Sequence, residues 1–251
     1  MNKMKRTIQH VLKKITPTKA EAQETRNVIN TVIQATEKII RPLGLNLVLA
    51  GSYRRDTWLP DKKEFDVFIC FPEDVKRERL EKKGLDVGKK IVNALGGEYT
   101  IAYAEHPYVR AVVKGYDIDI VPCYAVKDAA RIKSAVDRTP FHNRWLEKNL
   151  PKKLVPDVRL LKQFTKGQGV YGSDAKTLGL SGYLCELLII HYGSFQNFLR
   201  GASKWRAGRV FIDLQKHHKK VKPVKERDRF KGHPIIVIDP VDPNRNVAAA
   251  F

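Results

Sequence analysis

The chain has 251 residues, 43% of them hydrophobic, enough for two modest domains that each bury a core or for one large domain. Lys and Arg number 47 against 27 acids, and this net charge of +20 favours a polyanionic partner, nucleic acid ahead of an anionic membrane surface. No apolar run reaches spanning length and no signal-peptide pattern is present, so the expectation is a cytoplasmic protein without a membrane role. Cys70, Cys123 and Cys185 sit far apart in apolar contexts and match no zinc spacing; buried free thiols in a reducing compartment are expected.

Residues 1–15 are basic and weakly amphipathic through Ile8, Val11, Leu12 and Ile15, which predicts a helix packed on the first domain ahead of one lying on a membrane surface. A second helix follows over 18–40, between Pro17 and Pro42, with Ala22, Ile29, Val32, Ile33, Ile39 and Ile40 forming its stripe. Residues 45–50 read as a strand, and Gly51-Ser52 turns out of it. A glycine there lets a phosphate approach the backbone, Ser52 adds a hydroxyl donor, and Arg54 and Arg55 bring charge suited to a triphosphate.

The next strand, 64–71, alternates: Glu64 and Asp66 share one face, while Phe65, Val67, Ile69 and Phe71 share the other. A lone Glu-x-Asp is most often the wet side of a half-exposed strand. Two neighbouring carboxylates nevertheless repel, and a divalent cation relieves them; magnesium takes hard oxygens and keeps positions open for substrate phosphates. Residues 74–95 predict a helix ended by Gly96-Gly97, with Gly84 and Gly88 as points where it could break. Short strands over 99–103 and 109–113 lead through a Lys114-Gly115 turn to a strand at 116–121, where Asp117 and Asp119 share a face. An acid from this strand beside Glu64 and Asp66 would complete a two-metal site for nucleotidyl transfer, with ions about 3.5–4 Å apart.

The expected fold is α+β: a mixed-sheet domain over 1–143, then a largely helical domain with a few strands over 144–251. In the latter, 158–166 and 181–200 read as helices, and the second is apolar on nearly all sides (Leu184, Leu187, Leu188, Ile189, Ile190), as a buried helix should be. Strands are expected at 209–214 and 234–238. The basic segment between them, 215–231, is either a solvated loop or a track along a phosphate backbone, and His217-His218 belong to that patch rather than to a metal site.

Gly51-Ser52, Glu64-x-Asp66 and Asp119 resemble the nucleotidyltransferase signature of the DNA polymerase β superfamily. The flanking text narrows this. Gly51-Ser52-Tyr53-Arg54-Arg55-Asp56-Thr57-Trp58-Leu59, Ala104-Glu105-His106-Pro107-Tyr108 and Ser134 through His142 closely resemble archaeal, class I, CCA-adding enzymes. So do Ser181-Gly182-Tyr183-Leu184-Cys185-Glu186-Leu187-Leu188 and Asp239-Pro240-Val241-Asp242-Pro243-Asn244-Arg245-Asn246-Val247-Ala248, in order along the chain.

That resemblance implies addition of C, C and A to the tRNA 3′ end from CTP and ATP, without a template. Glu64, Asp66 and Asp119 would hold two Mg2+ ions, and Asp119 would also be a candidate to help take the proton; Asp117 falls outside the triad. Gly51, Ser52 and Arg55 would face the triphosphate, with Lys162 and Arg55 offsetting phosphate charge. Thr139, His142, Lys162 and Tyr171 resemble positions around the nucleotide, and Arg245 the arginine that helps select the base. Members of this family continue past the segment matching 239–248 into a tail domain absent here. A fragment, a compact form and one half of a split enzyme, its tail on a separate chain, are all open. The competing activities are nucleotidyl transfer to another RNA or small-molecule acceptor, and a non-catalytic RNA-binding module.

Overall fold

In the computed structural model, which describes residues 3–174, 176–219 and 229–250, the alternating strand β2 (Glu64–Phe71) lies inside a five-stranded sheet. Its companions are β1 (Asn46–Ala50), β3 (Glu98–Tyr103), β4 (Pro107–Val113) and β5 (Tyr116–Tyr124), in the order β1-β2-β5-β4-β3. β2 and β5 run parallel, and every other neighbouring pair is antiparallel. Two helices, α2 (Lys19–Ile40) and α3 (Arg77–Ala94), belong to the same unit.

Phe65, Val67 and Ile69 of β2, Ile118 and Ile120 of β5 and Val109 of β4 are buried with Val32 of α2 and Leu80 and Ile91 of α3. Each such side chain contributes roughly 1.5–3 kcal/mol by leaving water. α2 starts where Thr18 and Glu21 cap each other: the Thr18 backbone N–H donates to Glu21 Oε2 at 2.7 Å, and the Glu21 N–H donates to Thr18 Oγ1 at 3.2 Å.

α3 does not break at its glycines. A Cβ at Gly84 would lie 2.5 Å from Pro122 Cβ, and one at Gly88 would lie 2.7 Å from Val109 Cγ2. The glycines therefore serve close approach of the helix to β5 and β4, not a change of direction. The other face of the sheet carries the acids and, further along, a small buried cluster of Ala50, Phe68, Cys70, Tyr108, Val121 and Cys123. Cys70 and Cys123 are register partners with sulfurs 3.4 Å apart; all three cysteines are free and buried.

The chain divides into a unit of Pro17–Asn143 and a second of Met1–Thr16 with Arg144–Phe251. This corrects the expectation for the first helix. α1 (Lys3–Ile15) contacts α5 (Val155–Gly167), so its apolar stripe finds its partner outside the sheet unit, and Ile15 is buried. The division falls inside α4 (Thr139–Asn149), an element that the sequence reading did not mark. The long helix expected over 181–200 is two, α6 (Gly182–Tyr192) and α7 (Phe195–Ala202). Gly193 ends the first at φ 73°, and Ser194 caps the second by accepting from the Asn197 N–H. α6 is buried as anticipated from Leu184 to Ile189.

A three-stranded sheet completes this unit: β6 (Val210–Asp213) parallel to β7 (Ile235–Asp239), and β7 antiparallel to β8 (Asp242–Asn246). β8 went unmarked because Asp242-Pro243-Asn244-Arg245-Asn246 has no apolar alternation. Most of the basic segment 215–231, namely 220–228, lies outside the described residues. His217 and His218 each bring a ring nitrogen to 3.0 Å from a backbone carbonyl, of Pro240 and Pro243. No described helix is long and apolar enough to cross a membrane.

Candidate active site

The parallel register of β2 and β5 sets Asp66 directly opposite Asp119, and Glu64 opposite Asp117. β1 delivers the chain to the same place, since Ala50 pairs with Asp66 and Gly51 follows. Gly51 has φ 96° and ψ −177°, a region essentially reserved for glycine, and Ser52–Arg55 form one turn of 3-10 helix behind it. A Cβ at Gly51 would stand 3.7 Å from Asp66 Oδ2, aimed at the acids. Gly51, Ser52, Glu64, Phe65, Asp66, Arg110, Asp117 and Asp119 line one cleft of about 470 Å³.

The charges in this cleft are under strain. Burial, followed by the nearby charges of Asp119 and Glu64, pushes the Asp66 carboxyl up to about 7; Arg110 opposes the shift. Arg110 donates from Nε to Asp119 Oδ1 and from Nη2 to Asp119 Oδ2, both at 2.9 Å, and from Nη2 to the Tyr108 hydroxyl at 2.6 Å. Lys62 Nζ donates to Glu64 Oε1 at 2.8 Å.

In kind, the donors suit a hard divalent cation: carboxylate oxygens share one face, and burial together with their mutual repulsion raises the Asp66 carboxyl, a cost that a bound cation would relieve. They are not gathered at one point. Among the described residues no three His, Cys, Asp or Glu side chains are placed to hold an ion. Asp119 is engaged by Arg110, and Glu64 by Lys62.

The remaining sequence-predicted residues lie elsewhere. Arg55 is outside the cleft lining; its Nη1 donates to Asn143 Oδ1 at 2.9 Å, and Asn143 Nδ2 donates to the Leu49 carbonyl at 3.1 Å. Thr139 and His142 occupy the first turn of α4. Lys162, Tyr171 and Arg245 belong to the other unit. There Lys162 is buried, 3.7 Å from Glu186 Oε1. The Tyr171 hydroxyl would lie 3.1 Å from a Cβ placed on Gly182. Arg245 Nη1 donates to the buried Asp239 at 2.8 Å, which also accepts from the Tyr183 hydroxyl at 3.2 Å.

Sequence reasoning missed Arg110 and Tyr108. The signal was present: Val109, Ala111 and Val113 alternate inward, so a cation at 110 must stand on the acid face of the same sheet.

Two domain models match in tandem, a nucleotidyltransferase domain over residues 29–142 and the second domain of tRNA nucleotidyltransferases over 156–251. The chain is 44% identical to the CCA-adding enzyme of Methanocaldococcus jannaschii over 248 residues, covering 96% of this chain and 55% of that protein. It is 43% identical to the CCA-adding enzyme of Archaeoglobus fulgidus over 250 residues, covering 98% of this chain and 52% of that protein. The chain belongs to the tRNA nucleotidyltransferase family. It spans about half the length of the tRNA nucleotidyltransferases it matches.

Solved structures agree on the fold of this tRNA nucleotidyltransferase family member. The Cid1 poly(U) polymerase, in a structure with Mg and 3′-dATP bound, matches with a TM-score of 0.73 at 15% identity, over 100% of this chain and 88% of that one. CdnC of E. coli MS115-1 with ATP matches with a TM-score of 0.64 at 16% identity, over 98% and 84%. At such identity the likeness shows the α+β nucleotidyltransferase fold alone.

Proposed function

We propose that this chain catalyses template-independent addition of CMP and AMP to the 3′ end of tRNA, from CTP and ATP and with Mg2+. The observation that carries the reading is the in-register pair Asp66 and Asp119, with Glu64 on the same face, in a cleft also lined by Gly51 and Ser52. The match to the second domain of tRNA nucleotidyltransferases and the likeness to CCA-adding enzymes support tRNA as the acceptor. The free buried thiols fit a reducing compartment, the cytoplasm.

Glu64, Asp66 and Asp119 would hold the metal. When bound, divalent cations would activate the terminal hydroxyl and stabilise the leaving pyrophosphate. In the reaction the terminal 3′-hydroxyl oxygen bonds to the α-phosphorus, the α–β phosphoanhydride bond breaks, pyrophosphate leaves, and a carboxylate oxygen of Asp119 helps accept the hydroxyl proton. Gly51, lacking a side chain, lets phosphate oxygens reach the backbone, and the Ser52 hydroxyl donates to them. Arg55, oriented by Asn143, and Lys162 are assigned to phosphate charge. Thr139, His142 and Tyr171 are assigned to the nucleotide, and Arg245, held by Asp239, to the base.

The test is incubation with labelled CTP and ATP, Mg2+ and tRNA lacking its CCA end, read on a denaturing gel. Growth by C, C and A is expected. Failure on tRNA with extension of another RNA or a small molecule would sink the tRNA reading. Arrest after one or two additions would point to a second chain for completion.

A further inference from the structure

The proposed chemistry gives Arg110 no task, yet among the described residues lining the cleft it is the one cation. β4 places it opposite Asp119 in antiparallel register, and its fork takes both oxygens of that carboxylate. A carboxylate whose two oxygens are both engaged has to give one up before an inorganic cation can use it. Arg110 and a divalent cation are therefore rivals for the same atoms, and each must weaken the other's hold.

Two features suit Arg110 to be displaced. Its side chain is 52% exposed, against 22% for Asp119, so leaving the carboxylate does not strand a buried charge. It also has somewhere to stay: Nη2 donates to the Tyr108 hydroxyl, and the guanidinium carbon lies 5.5 Å from the centre of the Tyr108 ring.

We propose that Arg110 is a resident counter-ion that a divalent cation must displace from Asp119, and that it thereby sets the cation concentration at which the site becomes competent. The proposal rests on the reading of Glu64, Asp66 and Asp119 as the cation-holding acids. Before metal arrives, Arg110 offsets repulsion among the acids; afterwards, it is held by Tyr108. A lysine here could engage only one oxygen at a time and would compete less well.

Mn2+ binding to the metal-stripped full chain, followed by the electron paramagnetic resonance of free Mn2+, tests this without turnover. Arg110→Gln should bind Mn2+ about fivefold more tightly than wild type, the effect of removing one half-exposed ion pair. Arg110→Lys should fall between them. In chelator Arg110→Gln should melt below wild type, and saturating Mn2+ should close that gap. Were the ion pair merely structural, the melting difference would be the same with and without Mn2+ and the affinity would not move. Unchanged or weaker Mn2+ binding by Arg110→Gln overturns the proposal; if that variant does not fold, Arg110→Lys decides by the same criterion. Asp119→Asn separates the underlying reading: Mn2+ binding as tight as wild type in that variant would mean that Asp119 holds no metal, whatever Arg110 does.

Discussion

The two faces of β2 and β5 share one backbone and carry opposite chemistry. Toward the helices, Phe65, Val67, Ile69, Ile118 and Ile120 are each no more than 2% exposed. On the other face, Glu64, Asp66, Asp117 and Asp119 crowd like charges into one cleft. Stability and reactivity are thus assigned to alternate residues of each strand, and the first is spent in part on holding the second together. Substitutions one position apart should consequently fail in different ways.

The largest contrast is expected at Asp66. Asp66→Ala should lower nucleotide incorporation about a thousandfold, from loss of cation-based stabilisation of several kcal/mol, while leaving the protein folded. Asp117→Ala, in the same cleft but outside the triad, should cost tenfold or less by the ~1.4 kcal/mol-per-decade scale. Equal losses in a single-turnover assay would break the distinction between them.

Across the strand, Phe65→Ala should remove about 3–5 kcal/mol of stability in urea unfolding, with little change in turnover per folded molecule. A smaller effect is expected where the faces meet the turn. Gly51→Ala forces a side chain into φ 96° and aims its methyl at Asp66, so it should cost about 1–3 kcal/mol and also raise the KM for nucleotide.

The smallest effect is a pH slope. Folded Asp66 ionises at about 7, above the unfolded value. The folded form therefore keeps a proton that the unfolded form releases. Its contribution is full below the unfolded pKa and is lost as pH rises toward 7. In chelator, wild-type melting temperature should fall over that interval, and Asp66→Asn should fall less and melt higher near neutral pH. Parallel profiles would show that Asp66 is not the strained acid.

Much of this was legible because periodicity and register share a cause. Alternation along 64–71 and 116–121 already placed Glu64, Asp66 and Asp119 on sheet faces, and Gly51-Ser52 marked the turn between β1 and the acids. Partner choice was not legible. The stripe of α1 would serve any apolar neighbour, and only the folded chain selects α5. Gly84 and Gly88 resembled helix breakers because their reason, contact with Pro122 and Val109, lies some 20–40 positions away in sequence. Lys162 was assigned to phosphate by likeness, and no local pattern announced that it would be buried beside Glu186.

Those two glycines also act as a mechanical index. Pro122 sits in one notch of α3 and Val109 in the next, one helical turn along, so the helix cannot slide over the sheet without lifting both out. The two strands gripped this way are the ones that carry Asp119 and Arg110. A helix on the far side of the sheet thus braces the two strands whose register pairs a carboxylate with the guanidinium that guards it.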